Sequence, residues 1–250
     1  MAPRTVLTDT DGGPDADDDR FPAYRYPWLD ELAGTGTPEP VAAAASYPPT
    51  TADRDDLHLV VAVGSNASPE VLCRKLAGLP TRSDPVNHDQ AARRDVEARL
   101  VRVVVDGIGI GYSAHVAHRG YIPAAPFADP GGTVTTVGAW LDETEIAALD
   151  ATEPNYDRIA TGSFSLYSSR HGVLAEHGSP LPFGSQDRVL TWLADRLNHP
   201  VLQGDTASVC TRLAYPSVAG GLTRTMWSAG LGADSRMTGA LAGITGQAGA

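Results

Sequence analysis

Two short segments carry residue types from which a reaction centre can be built. The first is Gly64-Ser65-Asn66, which ends a run of β-branched residues and precedes Ser68-Pro69, a typical helix start with serine as the N-cap. A glycine after a buried strand allows a tight turn, and the free N–H groups of the next helix favour a carboxylate or a developing oxyanion. Because many strand–glycine–helix joints only turn a corner, this segment alone does not predict a site.

The second segment centres on Glu153, which lies between a short predicted helix and Pro154. A carboxylate can remove and return a proton when its surroundings bring its pKa towards neutrality. A single glutamate is more often a solvated surface residue, and Arg158 is near enough in sequence to pair with it or with Asp157. The role of Glu153 therefore depends on whether the fold brings it to the first segment.

The strands that must position these segments predict one α+β domain from about residue 57 to residue 200. Asp106-Gly107 is typical of a hairpin turn, and Gly131-Gly132 predicts another turn. Strands and helices do not alternate as βαβ units, which favours a small mixed or antiparallel sheet over a doubly wound sheet, with closure into a barrel as one alternative. The predicted strands and extended segments are 57–63, 99–105, 108–116, 121–127, 133–141 and 156–168.

Helix signals are local. Asp142 to Glu145 forms a capping-box pattern, and Ile146 and Leu149 face inward from the helix that follows. That helix ends near Glu153, because Pro154 disfavours helical geometry in the residue before it. Further helices are predicted from Ser68, at 186–197, and as one or two short elements within 201–231.

Composition divides the chain into four parts. Residues 1–56 hold twelve acidic residues against four arginines, which predicts a disordered acidic extension with an aromatic segment at 21–32. That segment has three interpretations: a strap packed on the domain, a docking motif for a partner, or a mobile stretch. Residues 57–170 form the predicted domain, 171–238 a helical extension packed on it, and 239–250 a flexible tail.

The net charge of −11 argues against nucleic acid as a partner, because phosphate binding needs an excess of lysine and arginine. The sequence has no apolar run of about eighteen residues and no signal-peptide pattern, which predicts a cytoplasmic protein that does not bind or cross a membrane. Cys73 and Cys210 are predicted to be reduced thiols. His115-x-x-His118 has no carboxylate or third histidine close in sequence, so we expect no metal there.

Together, the two segments are similar to the signature blocks of the gamma-glutamylcyclotransferase-like family. Val63-Gly64-Ser65-Asn66 resembles the family's Tyr-Gly-Ser-Asn motif. Leu149-Asp150-x-x-Glu153-x-x-Tyr156-x-Arg158 resembles the block that carries the family's catalytic glutamate, and Pro123 to Val137 resembles its Pro-x-Ala…Pro-Gly…Val passage. The order and separation of the blocks agree with the family, and the resemblance covers roughly residues 57–170.

This resemblance implies an α+β fold, a small mixed β-barrel with peripheral helices. It also implies a metal-independent acyltransferase that releases 5-oxoproline from a gamma-glutamyl-amine or gamma-glutamyl-peptide without a cofactor. Glu153 would be the catalytic general acid and base. The substrate-binding residues would be Val63, Gly64, Ser65, Asn66 and Tyr156. The alternative is a non-catalytic module that keeps the fold and binds a small molecule or a protein; for its assembly, a homodimer is an open alternative.

Two departures from the family pattern bear on catalysis. Val63 replaces the tyrosine of the motif, so the pocket lacks a hydroxyl there unless another side chain supplies one. Pro154 follows the glutamate where the family commonly has glycine, which stiffens the loop and can redirect the carboxylate. The tyrosines considered as substitutes are Tyr112, Tyr121 and Tyr156.

Overall fold

The computed structural model describes residues 21–28, 34–46, 57–77 and 95–237. Within these ranges the chain forms a mixed α+β structure, as the sequence predicts. None of the helices in these ranges combines the length and hydropathy that crossing a lipid bilayer requires. The acidic run before Phe21 and the tail predicted from Gly239 lie outside the described residues.

A six-stranded mixed sheet lies at the centre. In the order in which they lie side by side, the strands are β1 (Thr35–Pro40), β3 (Leu100–Tyr112), β4 (Ala124–Leu141), β2 (His58–Ala62), β6 (Phe164–Ser169) and β5 (Tyr156–Ala160). β1 pairs in parallel with β3 and β2 pairs in parallel with β6, whereas the other neighbouring strands are antiparallel.

The sheet is open, so the prediction of a closed β-barrel is wrong. Within the described ranges, β1 and β5 are the two edges and do not pair with each other. Pro38 and Pro40 in β1 lack the N–H that a further strand would need, and Asp157 and Arg158 in β5 are exposed. Prolines and charges are typical of strands that end a sheet.

The longest pairing joins β3 to β4 and corrects the predicted hairpin at Asp106-Gly107. β3 continues through this dipeptide, with Gly107 in the left-handed region at φ 79°, and the register shifts between Asp106 and Ile108. An Asp-Gly pair suits a bulge as well as a turn, because both can require positive φ. The turn predicted at 131–132 is likewise part of β4, at the same shift in register.

Residues 21–28 and 34–46 are ordered, although they lie within the extension predicted to be disordered at 1–56. β1 and the short helix α1 (Val41–Ala44) lie within it, and both ends of α1 are buried. Residues 21–28, here called the strap, pack on the domain with Phe21 and Tyr26 each only 4% exposed. Burial of these large rings repays the entropy of ordering the segment, in agreement with the strap interpretation.

The turn and helix after β2 form as predicted. A 3-10 turn (Ser65–Ala67) leads into α2 (Pro69–Leu76), and Ser68 Oγ caps the helix by accepting the N–H of Val71. Leu72 packs into the core beside the sheet, which fixes the direction in which α2 leaves the turn.

The capping box also forms as predicted, at the start of α3 (Glu143–Ala151). Asp142 accepts the N–H of Glu145, and the Glu145 carboxylate accepts the N–H of Asp142. Residues 156–168, predicted as one strand, instead form the β5–β6 hairpin. Thr161 explains the break, because its hydroxyl accepts two N–H groups of the turn.

The C-terminal part adds a small sheet and three helices, α4 (Gln186–Leu197), α5 (Thr206–Leu213) and α6 (Pro216–Ser228), which match the predicted helical regions. The Gln186 side chain bonds both the N–H and the carbonyl of Ile122, and the helices share one hydrophobic core with Ile122 and Tyr112. Residues 171–237 therefore pack as part of the same body as the central sheet. The small sheet consists of β7 (Val173–Glu176), β8 (Ser179–Pro180) and β9 (Gly232–Ala233).

Candidate functional site

The turn after β2 and the loop after α3 open onto one cavity of about 60 Å³. On a scale where roughly 10–15 Å³ holds one water, this space admits a few waters or one compact ligand group. All the predicted site residues line it, namely Val63, Gly64, Ser65, Asn66, Glu153 and Tyr156. The structure thus brings the two segments together.

Glu153 is held by two donors on the same carboxylate oxygen. Asn66 Nδ2 donates to Oε1 at 2.8 Å across 87 residues of sequence, and Lys75 Nζ donates to the same atom at 2.6 Å. The side chains of Lys75 and Glu153 are 6% and 14% exposed, so this ion pair is buried. Oε2 receives no hydrogen bond from the described part of the chain, which leaves it available to a ligand.

Lys75 was not among the residues singled out from the sequence, although a signal was present. It is the only lysine of the chain, whose other lysine or arginine positions are all arginine. It also lies seven residues after Ser68, and this spacing puts both residues on one face of a helix. Its ammonium is a compact charge and donates to Glu153 Oε1 alone.

Tyr26 reaches the cavity from the strap and lies against the turn. A Cβ added at Gly64 would be 2.5 Å from Tyr26 Oη, so glycine leaves the room that this hydroxyl occupies. Oη accepts the N–H of Ala124 at 3.1 Å. Burial raises the pKa of Tyr26 above its usual range, and the nearby Glu153 charge acts in the same direction. Tyr26 therefore remains protonated and presents a hydroxyl at a wall where Val63 has none.

Of the three tyrosines considered as substitutes, Tyr121 and Tyr156 line the cavity and Tyr112 does not. Tyr112 donates to a backbone carbonyl of the C-terminal part at 2.9 Å. Tyr156 Oη donates to the carbonyl of Ala124 at 2.8 Å, which fixes its ring as part of the wall. Tyr121 stacks on Tyr26 with ring centroids 4.2 Å apart.

The loop around Glu153 is anchored without using its carboxylate. Arg170 Nη1 donates to the carbonyl of Pro154 at 2.7 Å. Arg158 pairs with Asp150 at 3.0 Å, so the alternative in which Arg158 pairs with Glu153 does not hold. The proline therefore sits in a braced loop that still directs Glu153 into the cavity.

Asn66 also leaves one buried acceptor for a ligand. Its Nδ2 is directed to Glu153, and its Oδ1 is buried without a hydrogen-bond partner among the described residues. A buried acceptor left unpaired costs about 1–3 kcal/mol, which an N–H donor of a bound ligand would recover.

His115 lines the cavity too, although no sequence pattern predicts it there. It is 3% exposed, and its Nδ1 lies 2.5 Å from Ser113 Oγ. Burial, and secondarily the neighbouring His171, lowers the pKa of His115 well below its ordinary value, so the imidazole is neutral. Across the described ranges, no three or more His, Cys, Asp or Glu side chains are grouped in a way that could hold a metal ion.

A second cavity of about 410 Å³ lies beside α3 and β6. Arg158 pairs there with Asp150, and the His58 and Glu143 side chains are 58% and 86% exposed. Because Lys75 and Glu153 are buried, we regard the smaller cavity as the candidate site.

Comparison with protein-family models and with curated proteins gave no match for this chain. The resemblance to the gamma-glutamylcyclotransferase-like family therefore rests on the motifs themselves, and the activity is argued from the chemistry of the cavity.

Proposed function

We propose that this protein is a gamma-glutamylcyclotransferase-like enzyme that releases 5-oxoproline from a gamma-glutamyl-amine or gamma-glutamyl-peptide. The observation that carries the proposal is the contact between Glu153 and Asn66 in one cavity. This contact places a carboxylate that can transfer protons beside a turn whose backbone suits an anionic group.

In the proposed reaction, the α-amine of the γ-glutamyl group attacks its own side-chain carbonyl carbon. The ring C–N bond forms while the carbonyl electrons move to oxygen, and collapse of this intermediate breaks the C–N bond to the leaving amine. Glu153 Oε2 accepts a proton from the attacking amine and returns it to the leaving nitrogen. Because nucleophile and electrophile share one molecule, the cavity has mainly to favour the cyclising rotamer.

The walls of the cavity match the charges of such a substrate. Asn66 Oδ1 suits an N–H of the α-amino group. The backbone of the turn Gly64-Ser65-Asn66 suits the α-carboxylate. Its small volume suits the γ-glutamyl head group, with the leaving amine extending outward.

Lys75 favours a second candidate, a non-catalytic binding module with the same fold. Its ammonium neutralises Glu153 through one carboxylate oxygen. A cavity whose charges neutralise each other can hold a ligand without reacting with it.

The experiment uses the full chain and a panel of γ-glutamyl-amines and γ-glutamyl-dipeptides, with 5-oxoproline measured by mass spectrometry. We expect release from at least one class of substrate, and a fall in kcat of about 10²–10⁴-fold in Glu153→Gln, which keeps the side-chain size but not the base. Glu143→Gln is the matched control, because Glu143 is 86% exposed at the start of α3 and should retain activity.

Release that survives Glu153→Gln would contradict the mechanism. A folded wild-type chain that binds members of the panel without releasing 5-oxoproline would favour the binding module.

A further inference from the structure

A chain of buried polar groups leads from the end of β6 to the cavity wall. The His171 amide donates to Ser169 Oγ at 3.0 Å, Ser169 Oγ lies 2.6 Å from Ser113 Oγ, and Ser113 Oγ lies 2.5 Å from His115 Nδ1. Ser113, His115 and Ser169 are all buried. Hydrogen bonds at these distances fix the ring of His115 in the wall that also contains Glu153.

The direction of this chain determines which ring nitrogen of His115 carries the proton. A backbone N–H only donates, so Ser169 Oγ is an acceptor there and its own hydrogen goes to Ser113 Oγ. The Ser113 hydrogen then goes to His115 Nδ1. The reverse direction would leave the Ser169 hydroxyl without an acceptor among the described residues, which buried hydroxyls avoid.

With Nδ1 as an acceptor, the proton of the neutral ring sits on Nε2. Nε2 neither donates nor accepts a hydrogen bond within the described part of the chain, and the aromatic rings beside His115 are those of His171 and Tyr156. The burial that keeps the ring uncharged thus leaves one neutral N–H donor at the cavity.

We propose that His115 Nε2–H donates a hydrogen bond to the side-chain carbonyl oxygen of the substrate and stabilises the oxyanion that develops when the α-amine attacks. This inference rests on the proposed function. The hydrogen stays on Nε2 throughout: the bonding electrons move from the carbonyl to its oxygen and back, while Glu153 moves the proton between the two nitrogens. His115 and Glu153 therefore act on different atoms of the same intermediate.

Ser113 and Ser169 are positioning residues in this scheme, because they act only through the ring of His115. Replacing Ser113 by alanine removes the donor to Nδ1 and so removes the preference for one tautomer. Ser113→Thr keeps a hydroxyl and should restore that preference.

The first test needs no substrate. Nitrogen-15 NMR of the histidine-labelled full chain at pH 7 distinguishes the two neutral tautomers and the imidazolium. We expect His115 as the neutral Nε2–H tautomer in the wild type and in Ser113→Thr, and a mixture in Ser113→Ala. A proton on Nδ1, or a charged ring, in the wild type would overturn the inference even if 5-oxoproline is released.

The second test measures kcat for 5-oxoproline release. His115→Leu removes the donor and should lower kcat by about 10²–10³-fold, whereas His115→Gln places an amide N–H near the position of Nε2 and should recover part of the loss. His177→Asn, in an exposed turn, is the control expected to match the wild type.

Full activity in folded His115→Leu would overturn the role of His115 while leaving the proposed function intact. An Nε2–H tautomer in a chain that releases no 5-oxoproline would instead overturn the proposed function, and with it the step assigned to His115.

Discussion

Glu153 carries both of its donors on one carboxylate oxygen, and this asymmetry gives the residue a defined orientation. Asn66 and Lys75 restrict the side chain to one rotamer, while Oε2 stays open to the cavity. Orientation of a proton-transfer group before the substrate arrives is what a short intramolecular reaction needs most from a protein. The same contacts also make the site a structural element, since they connect α2 to the loop after α3.

Substitution of Lys75 tests the connection between α2 and the loop after α3. Lys75→Met leaves the Glu153 carboxylate buried without its counterion, so we expect a loss of about 3 kcal/mol in the free energy of unfolding. In the double variant Lys75→Met/Glu153→Gln no unpaired charge remains, and the loss should be clearly smaller than the sum of the single losses. Urea unfolding at neutral pH measures all four proteins.

Additive losses in this cycle would show that the two side chains are not paired in solution. Glu143→Gln combined with Lys75→Met provides the comparison, because Glu143 contacts His58 and not Lys75.

At the scale of elements, the strap packs directly against the turn after β2. The Tyr26 hydroxyl lies where a side chain at residue 64 would be, and its ring stacks on Tyr121, which also lines the cavity. The strap therefore belongs to the site, although β1 and α1 lie between it and β2 in the sequence.

This contact predicts an interaction between two substitutions. Gly64→Ala should cost about 1–3 kcal/mol of stability in the wild type, because the new methyl group overlaps Tyr26 Oη. In a Tyr26→Phe background the overlapping oxygen is gone, and the cost of Gly64→Ala should fall below about 1 kcal/mol. Chemical unfolding of the four proteins gives both costs, and equal costs in the two backgrounds would mean that Tyr26 is not docked against the turn.

The elements that the sequence predicts correctly are those with local causes. Ser68-Pro69 and the Asp142 capping box determine where α2 and α3 begin, because each cap uses residues only a few positions apart. The prediction of a hairpin at Asp106-Gly107 is wrong because the same dipeptide also suits a bulge. Only pairing with the partner strand decides whether a turn or a bulge forms. The edges of the sheet, and hence the absence of closure, also depend on long-range pairing.

The residues of the candidate site likewise differ in whether a local sequence pattern predicts them. Asn66 and Glu153 were found because their motifs are contiguous in sequence. Tyr26 and His115 reach the cavity through packing of the strap and through buried hydrogen bonds, for which the sequence offers no local signal. Lys75 lies between these cases, since its uniqueness in the composition was visible before the fold was known.

At the scale of the whole molecule, buried phenols are distributed through separate regions. Tyr26 lies in the strap, Tyr112 in the core shared with the C-terminal helices, and Tyr167 beside α3, where it donates to Asp150 at 2.6 Å. Burial raises the pKa of Tyr112 to about 12 and raises those of Tyr26 and Tyr167 above their usual range.

These shifts predict alkaline destabilisation. A tyrosine in the unfolded chain ionises near pH 10, below the folded values, so the unfolded state loses its protons first. The contribution of the tyrosines to stability should therefore be unchanged up to about pH 10 and should fall as the pH rises towards 12. Urea midpoints measured between pH 8 and pH 12 test this, and Tyr112→Phe should flatten the fall; a constant midpoint over this range would contradict the prediction.

The single lysine also determines how the molecule reacts with reagents that modify lysine side chains. Its amine is engaged with Glu153 and almost wholly covered, so reagents and enzymes that attach groups to lysine find no exposed lysine side chain anywhere in this sequence. Acylation of Lys75 then requires that the ion pair separate and the cavity open. An amine-directed label on this side chain would thus report the opening of the site itself, because no other lysine side chain of the sequence can carry the label.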